Sequence, residues 1–185
     1  PSFDFCKDFL KEARAKGALG SPHLCGSVID KNLNQDPQIM DLCTSAYRIQ
    51  LNLNISNYPN YNSLVDSILS VIKRTDHNII LQQNKTKNDF MKMFLERTHC
   101  PISILHDSSG GFGREISEVE PPNSLHLTGY AGGLSPENVV KVINLIEGVN
   151  PNNYRYYIDM ESKIREDNYF SIEKCKKVVQ NIEQM

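Results

Sequence analysis

The sequence predicts an α/β fold of the (β/α)8 TIM type, a parallel barrel wrapped by helices, and three observations carry that expectation. Strand-like and helix-like patterns alternate along all 185 residues, which implies parallel strand pairing with helices outside the sheet. Two strand patterns, 47–54 and 155–161, are apolar on one face only, with Arg48, Gln50 and Asn52 or Arg155, Asp159 and Glu161 on the other. A central strand of a doubly wound sheet is covered by helices on both faces and is apolar on both, so the one-sided pattern favours a barrel whose polar side serves a ligand-binding mouth. The third observation is the count, six strands where eight are expected, in a chain shorter than the about 200 residues of a complete barrel. A helix comes first and no initiator methionine precedes Pro1. The expectation is therefore a single domain over 1–185, incomplete at its N-terminus, lacking the first strand, first helix and second strand.

Phe5, Phe9, Leu10 and Ala13 recur at helical spacing within 3–16, and Gly17 ends that helix. Residues 22–29 form a short strand pattern. Asp36 then caps a weak helix over 36–43, with Pro37 at its first position. In 47–54, Tyr47, Ile49, Leu51 and Leu53 alternate with polar residues, and Leu64, Ile68, Val71 and Ile72 mark an amphipathic helix. The cycle repeats with a strand at 78–83, a helix at 88–97 and a strand at 102–107. A strand at 125–131 leads through a glycine loop to a helix running to Leu145, with Ser135 as cap and Pro136 in the first turn. The last strand spans 155–161 and the last helix 171–183.

Composition narrows the function. Twenty Lys and Arg against 22 Asp and Glu give a charge of −2, unlike the clearly basic balance of a dedicated nucleic-acid binder. No apolar run approaches the ~18 residues of a membrane span, and no signal peptide opens the chain. The five cysteines (Cys6, Cys25, Cys43, Cys100, Cys175) show no CxxC pair and read as scattered thiols of a reducing, cytoplasmic compartment. In that setting the sequons at Asn54 and Asn84 are chance matches. No metal-ligand spacing, Walker loop, HExxH or GxSxG is present, so no metal and no cofactor is expected.

Three segments have the composition of a chemical site. Asp107-Ser-Ser-Gly-Gly-Phe-Gly113 follows a strand directly, so a carboxylate stands at the end where barrel enzymes work, before glycines (Gly110, Gly111, Gly113) that let amides approach a ligand. Gly129-Tyr-Ala-Gly-Gly-Leu-Ser-Pro-Glu-Asn138 places Gly132 and Gly133 before a capped helix, a setting in which unpaired amides suit a phosphate. In 157–165, alternation puts Tyr157, Asp159 and Glu161 on one face, where two carboxylates are costly unless they meet a ligand or a basic partner such as Arg48 or Arg155. Gln50, Asn52, Gln82, Asp107, Asp159 and Glu161 lie at or near strand ends and are expected to converge at the mouth. His23 and Cys25 share a strand face as a possible base and nucleophile, although a small buried Cys is the commoner outcome. His106 falls on the face opposite Asp107 and should pack toward a helix.

The strings ILHDSSGGFG, GYAGGLSPENV and YYIDMES, in that order, resemble phosphoribosylanthranilate isomerase, the (β/α)8 enzyme of tryptophan biosynthesis. That family has a strand ending Leu-Leu-Asp before a Gly-Gly-x-Gly loop, then Gly-Gly-Leu-(Asn/Ser)-Pro-Glu-Asn-Val, then Val-Asp-Val-Ser-Ser-Gly-Val-Glu. The specific similarity runs from Ile102 to Glu161. Upstream, RIQLN at 48–52 stands where the family reads Val-Gln-Leu-His.

The resemblance implies an aldose–ketose isomerase that performs an Amadori rearrangement on a phosphoribosylamine. Asp107 would be the general acid that opens the sugar ring, a role asking for a carboxyl that keeps its proton near neutrality. Asp159 would contact the amino-aryl part of the substrate, with Glu161, Gln50, Asn52 and the glycines of the Asp107 loop around it. Gly132 and Gly133 would hold one side of the phosphate. The chain departs from the family at two points. The family's base is a Cys in a Lys-Ile-Cys-Gly first strand, and Cys25 of HLCG lies on what counts as the third. The second phosphate segment reads Glu161-Ser162-Lys163 instead of Ser-Ser-Gly, so that Ser162 and the charge of Lys163 would replace backbone amides. Two rivals stay open: another phosphosugar epimerase or lyase, and a catalytically silent barrel that binds a ligand or partner. The expected partner is a small phosphorylated, sugar-like ligand, with no nucleic acid and no membrane.

Overall fold

The computed structural model describes residues 2–75, 78–83, 88–107 and 116–185. The chain divides into two compact units, Pro1–Ser103 and Ile104–Met185.

The first unit opens with helix α1 (Phe3–Ala15), whose first turn is closed by Ser2 Oγ accepting from the amide of Phe5 at 3.2 Å. Strand β1 (His23–Cys25) follows, then α2 (Ser27–Leu33), α3 (Pro37–Thr44), β2 (Arg48–Asn52), α4 (Tyr61–Thr75), β3 (Asn78–Gln83) and α5 (Asn88–Arg97). β1 and β2 are parallel, with His23 beside Gln50 and Cys25 beside Asn52. β2 and β3 are parallel too, with Gln50 beside Ile80 and Leu51 beside Leu81. Strand residues Ile49, Leu51, Ile79 and Leu81 and helix residues Val65, Ile68, Val71, Phe90 and Phe94 are buried and form the core. Each such side chain contributes about 1.5–3 kcal/mol by leaving water. Tyr61 meets Phe90 edge to face at 5.9 Å, and Arg97 pairs with Asp66, joining α4 to α5.

The expected strand over 22–29 is the main correction here. Gly26 turns to φ 54°, a left-handed conformation that ends the strand after three residues, and Ser27 begins a helix. Ile29 is buried, but as a helix residue. The strand expected over 47–54 contracts to β2, leaving Tyr47 57% exposed outside it. The helix after Asp36 forms as expected, with Asp36 Oδ1 accepting from the amide of Gln38 at 3.0 Å and Pro37 at the first position.

The second unit takes up β4 (Ser103–Asp107) from Ile104 onward, then β5 (Leu127–Ala131), α6 (Val139–Gly148), β6 (Tyr156–Asp159), a 3-10 turn at Ser162–Ile164, strands β7 (Arg165–Glu166) and β8 (Tyr169–Phe170), and α7 (Ile172–Glu183). β4, β5 and β6 are neighbours in chain order, and β5 and β6 are parallel. Ile116, Tyr130, Leu134, Val142 and Ile146 form the core, with Val119, Tyr156, Ile158 and Met160 packed against it. α7 is tied to the start of α6 by Asn181, whose amide donates to the carbonyl of Pro136 at 2.7 Å.

Three boundaries differ from expectation in this unit. Leu125 is 83% exposed and precedes β5, because Asn123 Oδ1 accepts from the amides of Leu125 and His126 and holds them in a turn. Ser135 opens a turn rather than the helix: its Oγ accepts from Glu137 N, and α6 proper begins at Val139. β6 stops at Asp159, and β7 and β8 form an antiparallel hairpin that the sequence pattern did not announce. Its turn residues, Asp167 (φ 49°) and Asn168 (φ 66°), are both left-handed, as a two-residue hairpin loop requires.

Candidate functional site

In the second unit, the face on which each side chain stands follows from its neighbours. His106 stacks on Tyr130 at 5.7 Å and 20°, so it belongs to the helix-covered side with Leu134, Val142 and Ile146, as the alternation implied. Alternation then turns Asp107, the last residue of β4, to the opposite face. Tyr156 and Ile158 pack on the helix side, so Tyr157 and Asp159 also take the opposite face. Asp107 is 6% exposed and Asp159, the last residue of β6, is half-buried. Two carboxylates thus end two strands of one unit on the face away from its apolar core. A carboxyl held there can give or take a proton, or accept hydrogen bonds from a polar ligand.

His106 is held on its side by more than packing. Its Nδ1 lies 3.8 Å from a carboxylate oxygen of Glu120, and burial pushes its pKa down while Glu120 opposes that shift. The hydroxyl of Tyr130 donates to the carbonyl of Glu120 at 2.7 Å. Burial, with Glu120 nearby, holds the Tyr130 phenol well above its ordinary pKa, so that proton stays on the oxygen. His106 and Tyr130 therefore anchor the segment that leads back to β5.

The glycine segment has a specific geometry. Gly132 (φ 129°) and Gly133 (φ 57°) both occupy conformations that side chains disfavour, which explains two glycines in succession. Asn138 braces them: its Nδ2 donates to the carbonyl of Gly133 at 3.0 Å, and its Oδ1 accepts from the amide of Ser135 at 2.8 Å. The amides of Ser135, Glu137, Asn138 and Val139 all have partners within this turn. Glu137, paired with Lys177 at 3.6 Å, brings a carboxylate to the same helix start. Its hydrogen bond with Ser135 contributes most to a pKa below the ordinary carboxylate range. Amides for an anion would have to come from Gly132 and Gly133 rather than from the helix start.

Glu161 precedes the 3-10 turn and pairs with Arg165 at 2.9 Å. Ser162 and Lys163 lie in that turn, exposed. Gly110, Gly111 and Gly113 lie outside the described residues.

In the first unit, Gln50 (4% exposed) and Asn52 do come together: Gln50 Nε2 donates to Asn52 Oδ1 at 2.8 Å. Asn52 Nδ2 in turn donates to Cys25 Sγ at 3.5 Å. Cys25 is exposed rather than buried, contrary to the commoner expectation for a small thiol. The register sets Cys25 beside Asn52 and His23 beside Gln50, and Gln82 lies one step beyond the Leu51–Leu81 pair. These residues form a polar face opposite Ile49 and Leu51. The Cys25–Asn52 contact was not legible because it depends on register, which no local pattern states.

Among the described residues, no group of three His, Cys, Asp or Glu could hold a metal ion, and no helix is long and apolar enough to cross a membrane.

No family model matches the chain, and no curated protein matches it significantly. Among solved structures, N-(5'-phosphoribosyl)anthranilate isomerase from Pyrococcus furiosus matches with a TM-score of 0.62 at 14% sequence identity, over 100% of this chain and 82% of that one. The likeness is one of fold: the chain is built on the parallel α/β architecture of that isomerase.

Proposed function

We propose that the chain is a divergent isomerase of the phosphoribosylanthranilate isomerase type, acting on a phosphorylated, open-chain-forming sugar amine. The observation that carries this reading is the pair Asp107 and Asp159, each ending a strand on the face away from the core of the second unit. Asp107 acts as the general acid, protonating the ring oxygen so that the C1–O bond opens and leaves an imine at C1. Asp159 orients the amine-bearing part of the ligand. The backbone of Gly132 and Gly133 receives the phosphate, and Lys163 from the 162–164 turn adds the positive charge. Removal of the C2 proton from the protonated imine then leaves an enaminol, which gains a proton at C1 and loses its enol proton to give the amino-ketose; among the described residues none has comparable support as the base that takes the C2 proton.

The occupied amides of the turn at 135–139 and the carboxylate of Glu137 favour the rival reading, a catalytically silent barrel. Calorimetric titration with ribose 5-phosphate separates the two. Lys163→Ala is expected to weaken binding by about 1–3 kcal/mol, the range for a hydrogen bond to a charged group. Equal affinity in both forms removes Lys163 from the site. No heat from either form favours the silent barrel.

A further inference from the structure

Helix α7 has an outward face that the core of its unit leaves uncovered. Val178 is buried and Asn181 reaches the carbonyl of Pro136, so the inward side of the helix is the row 174, 178 and 181. Ile172 and Val179, seven residues apart, stand in line on the outward side. Tyr169 and Phe170 of β8 come immediately before the helix cap, Ser171. Lys174 Nζ donates to the carbonyl of Arg165 on β7 at 2.6 Å, which ties the hairpin to the first turn of the helix. Tyr169, Phe170, Ile172 and Val179 are each between 53% and 79% exposed. Together they offer roughly 450 Å² of apolar surface. One side of a standard protein interface is about 800 Å², a little over half of it apolar, so this face supplies the apolar area that one such interface needs.

We propose that this face is an interface between two copies of the chain, with the two α7 helices packed antiparallel about a two-fold axis beside Cys175. A two-fold contact requires a self-complementary surface, and the pattern along α7 is one. Ile172 and Val179 lie equally far from the 175–176 peptide bond, so antiparallel packing sets Ile172 of each copy on Val179 of the other. Tyr169 and Phe170 of each copy then meet the last turn of the facing helix, where Ile182 is half-buried. Charge favours the same arrangement. Glu173 and Lys176 pair within the helix at 3.0 Å, and antiparallel packing brings each Glu173 beside Lys176 of the other copy. Parallel packing would set the two Lys176 side chains against each other, a repulsive contact. Lys176 is paired with Glu173 and Lys177 with Glu137, so the helix holds little unpaired positive charge for an acidic partner. None of Asp107, Asp159, Gly132, Gly133 and Lys163 takes part, so this inference does not depend on the isomerase reading.

The test measures the mass of the full chain by sedimentation equilibrium under reducing conditions. The chain is 21.0 kDa, and twice that mass is expected at about 50 µM, since interfaces of standard size bind at micromolar concentration or tighter. A monomer at that concentration overturns the proposal. The double variant Ile172→Glu, Val179→Glu changes exposed residues only and should dissociate at least tenfold more readily, with its helical circular dichroism unchanged. A dimer that persists in this variant places the contact elsewhere and overturns the assignment to α7. Phe5→Glu alters an equally exposed aromatic on α1 and should leave the dimer intact; dissociation by that change moves the interface to α1 and also overturns the proposal. The register has its own measurement. A short bismaleimide should join Cys175 to Cys175 between copies, as read by peptide mass spectrometry, and should fail to do so in the double variant. A dimer that never yields this link overturns the antiparallel packing about Cys175.

Discussion

The cysteines show how residues of one type acquire different chemistry from their surroundings. Cys43 is fully buried and receives a hydrogen bond from Asn32 Nδ2 at 3.5 Å. Burial pushes its thiol up to about 11, only partly opposed by Asn32, so almost no thiolate exists at neutral pH. Cys25 is exposed, with an amide donor beside its sulfur. Since the thiolate is the reactive form, iodoacetamide at pH 8 should modify Cys25 first and leave Cys43 intact in the folded chain. Peptide mapping by mass spectrometry reads this directly, and early labelling of Cys43 would contradict the burial argument. Cys25 was legible as a strand thiol sharing a face with His23, and its place at the strand's end and its exposure were not. The same limit applied to Tyr157, whose face was readable from alternation while the close approach of its ring to Gly129 was not. Exposure and register both depend on residues distant in sequence.

At the scale of elements, boundaries were lost where one residue's side chain or φ decided the matter. The run at 22–29 is apolar enough for a strand, and only the left-handed Gly26 converts its second half into α2. The hairpin of β7 and β8 rests on two left-handed residues, Asp167 and Asn168, in a segment with too few residues to show a period. The start of α6 was displaced by Asn138, which spans the turn with both ends of its amide. Asn138→Ala removes two hydrogen bonds at once and leaves two backbone groups of a partly buried turn without these partners. It should destabilise the chain by about 1–3 kcal/mol, readable as a lower urea midpoint with unchanged slope. An unchanged midpoint would mean that water replaces the amide at no cost. Asp36 was legible because a cap beside a proline is a local signal, and it forms as read.

Over the whole molecule, the alternation of strands and helices was the durable signal, because it depends on many residues and no single one can overturn it. Its sense was parallel pairing, and the registers of β1 with β2, β2 with β3 and β5 with β6 are parallel. Several neutral acids scattered through the fold also act together. Burial raises Cys43 from 9.0 to about 11, and burial with the bond to Asp30 raises Tyr58 from 10.0 to about 12. Tyr130 and Tyr156 are raised as well, chiefly by burial. Each group keeps its proton longer when folded than when unfolded. The stabilisation is therefore complete below pH 9 and is lost as pH rises toward 11–12. Cys43 alone accounts for roughly 3 kcal/mol of it. The thermal midpoint should fall steadily from pH 9 to 11, and Cys43→Ala should fall less steeply. A flat midpoint over that window would exclude these protons as contributors.

The division at Ser103 has a consequence in time. The pairings of β1 with β2 and of β2 with β3, and the helices α1 to α5 that go with them, are encoded before the second unit has begun. A ribosome adds about 5–20 residues per second and domains tend to fold as units, N-terminal first. The N-terminal unit has its own buried core to collapse around while Asp107, Gly129 and Asp159 are still untranslated. Synthesis itself thus orders the assembly: scaffold with Gln50, Asn52 and Cys25 first, paired carboxylates last.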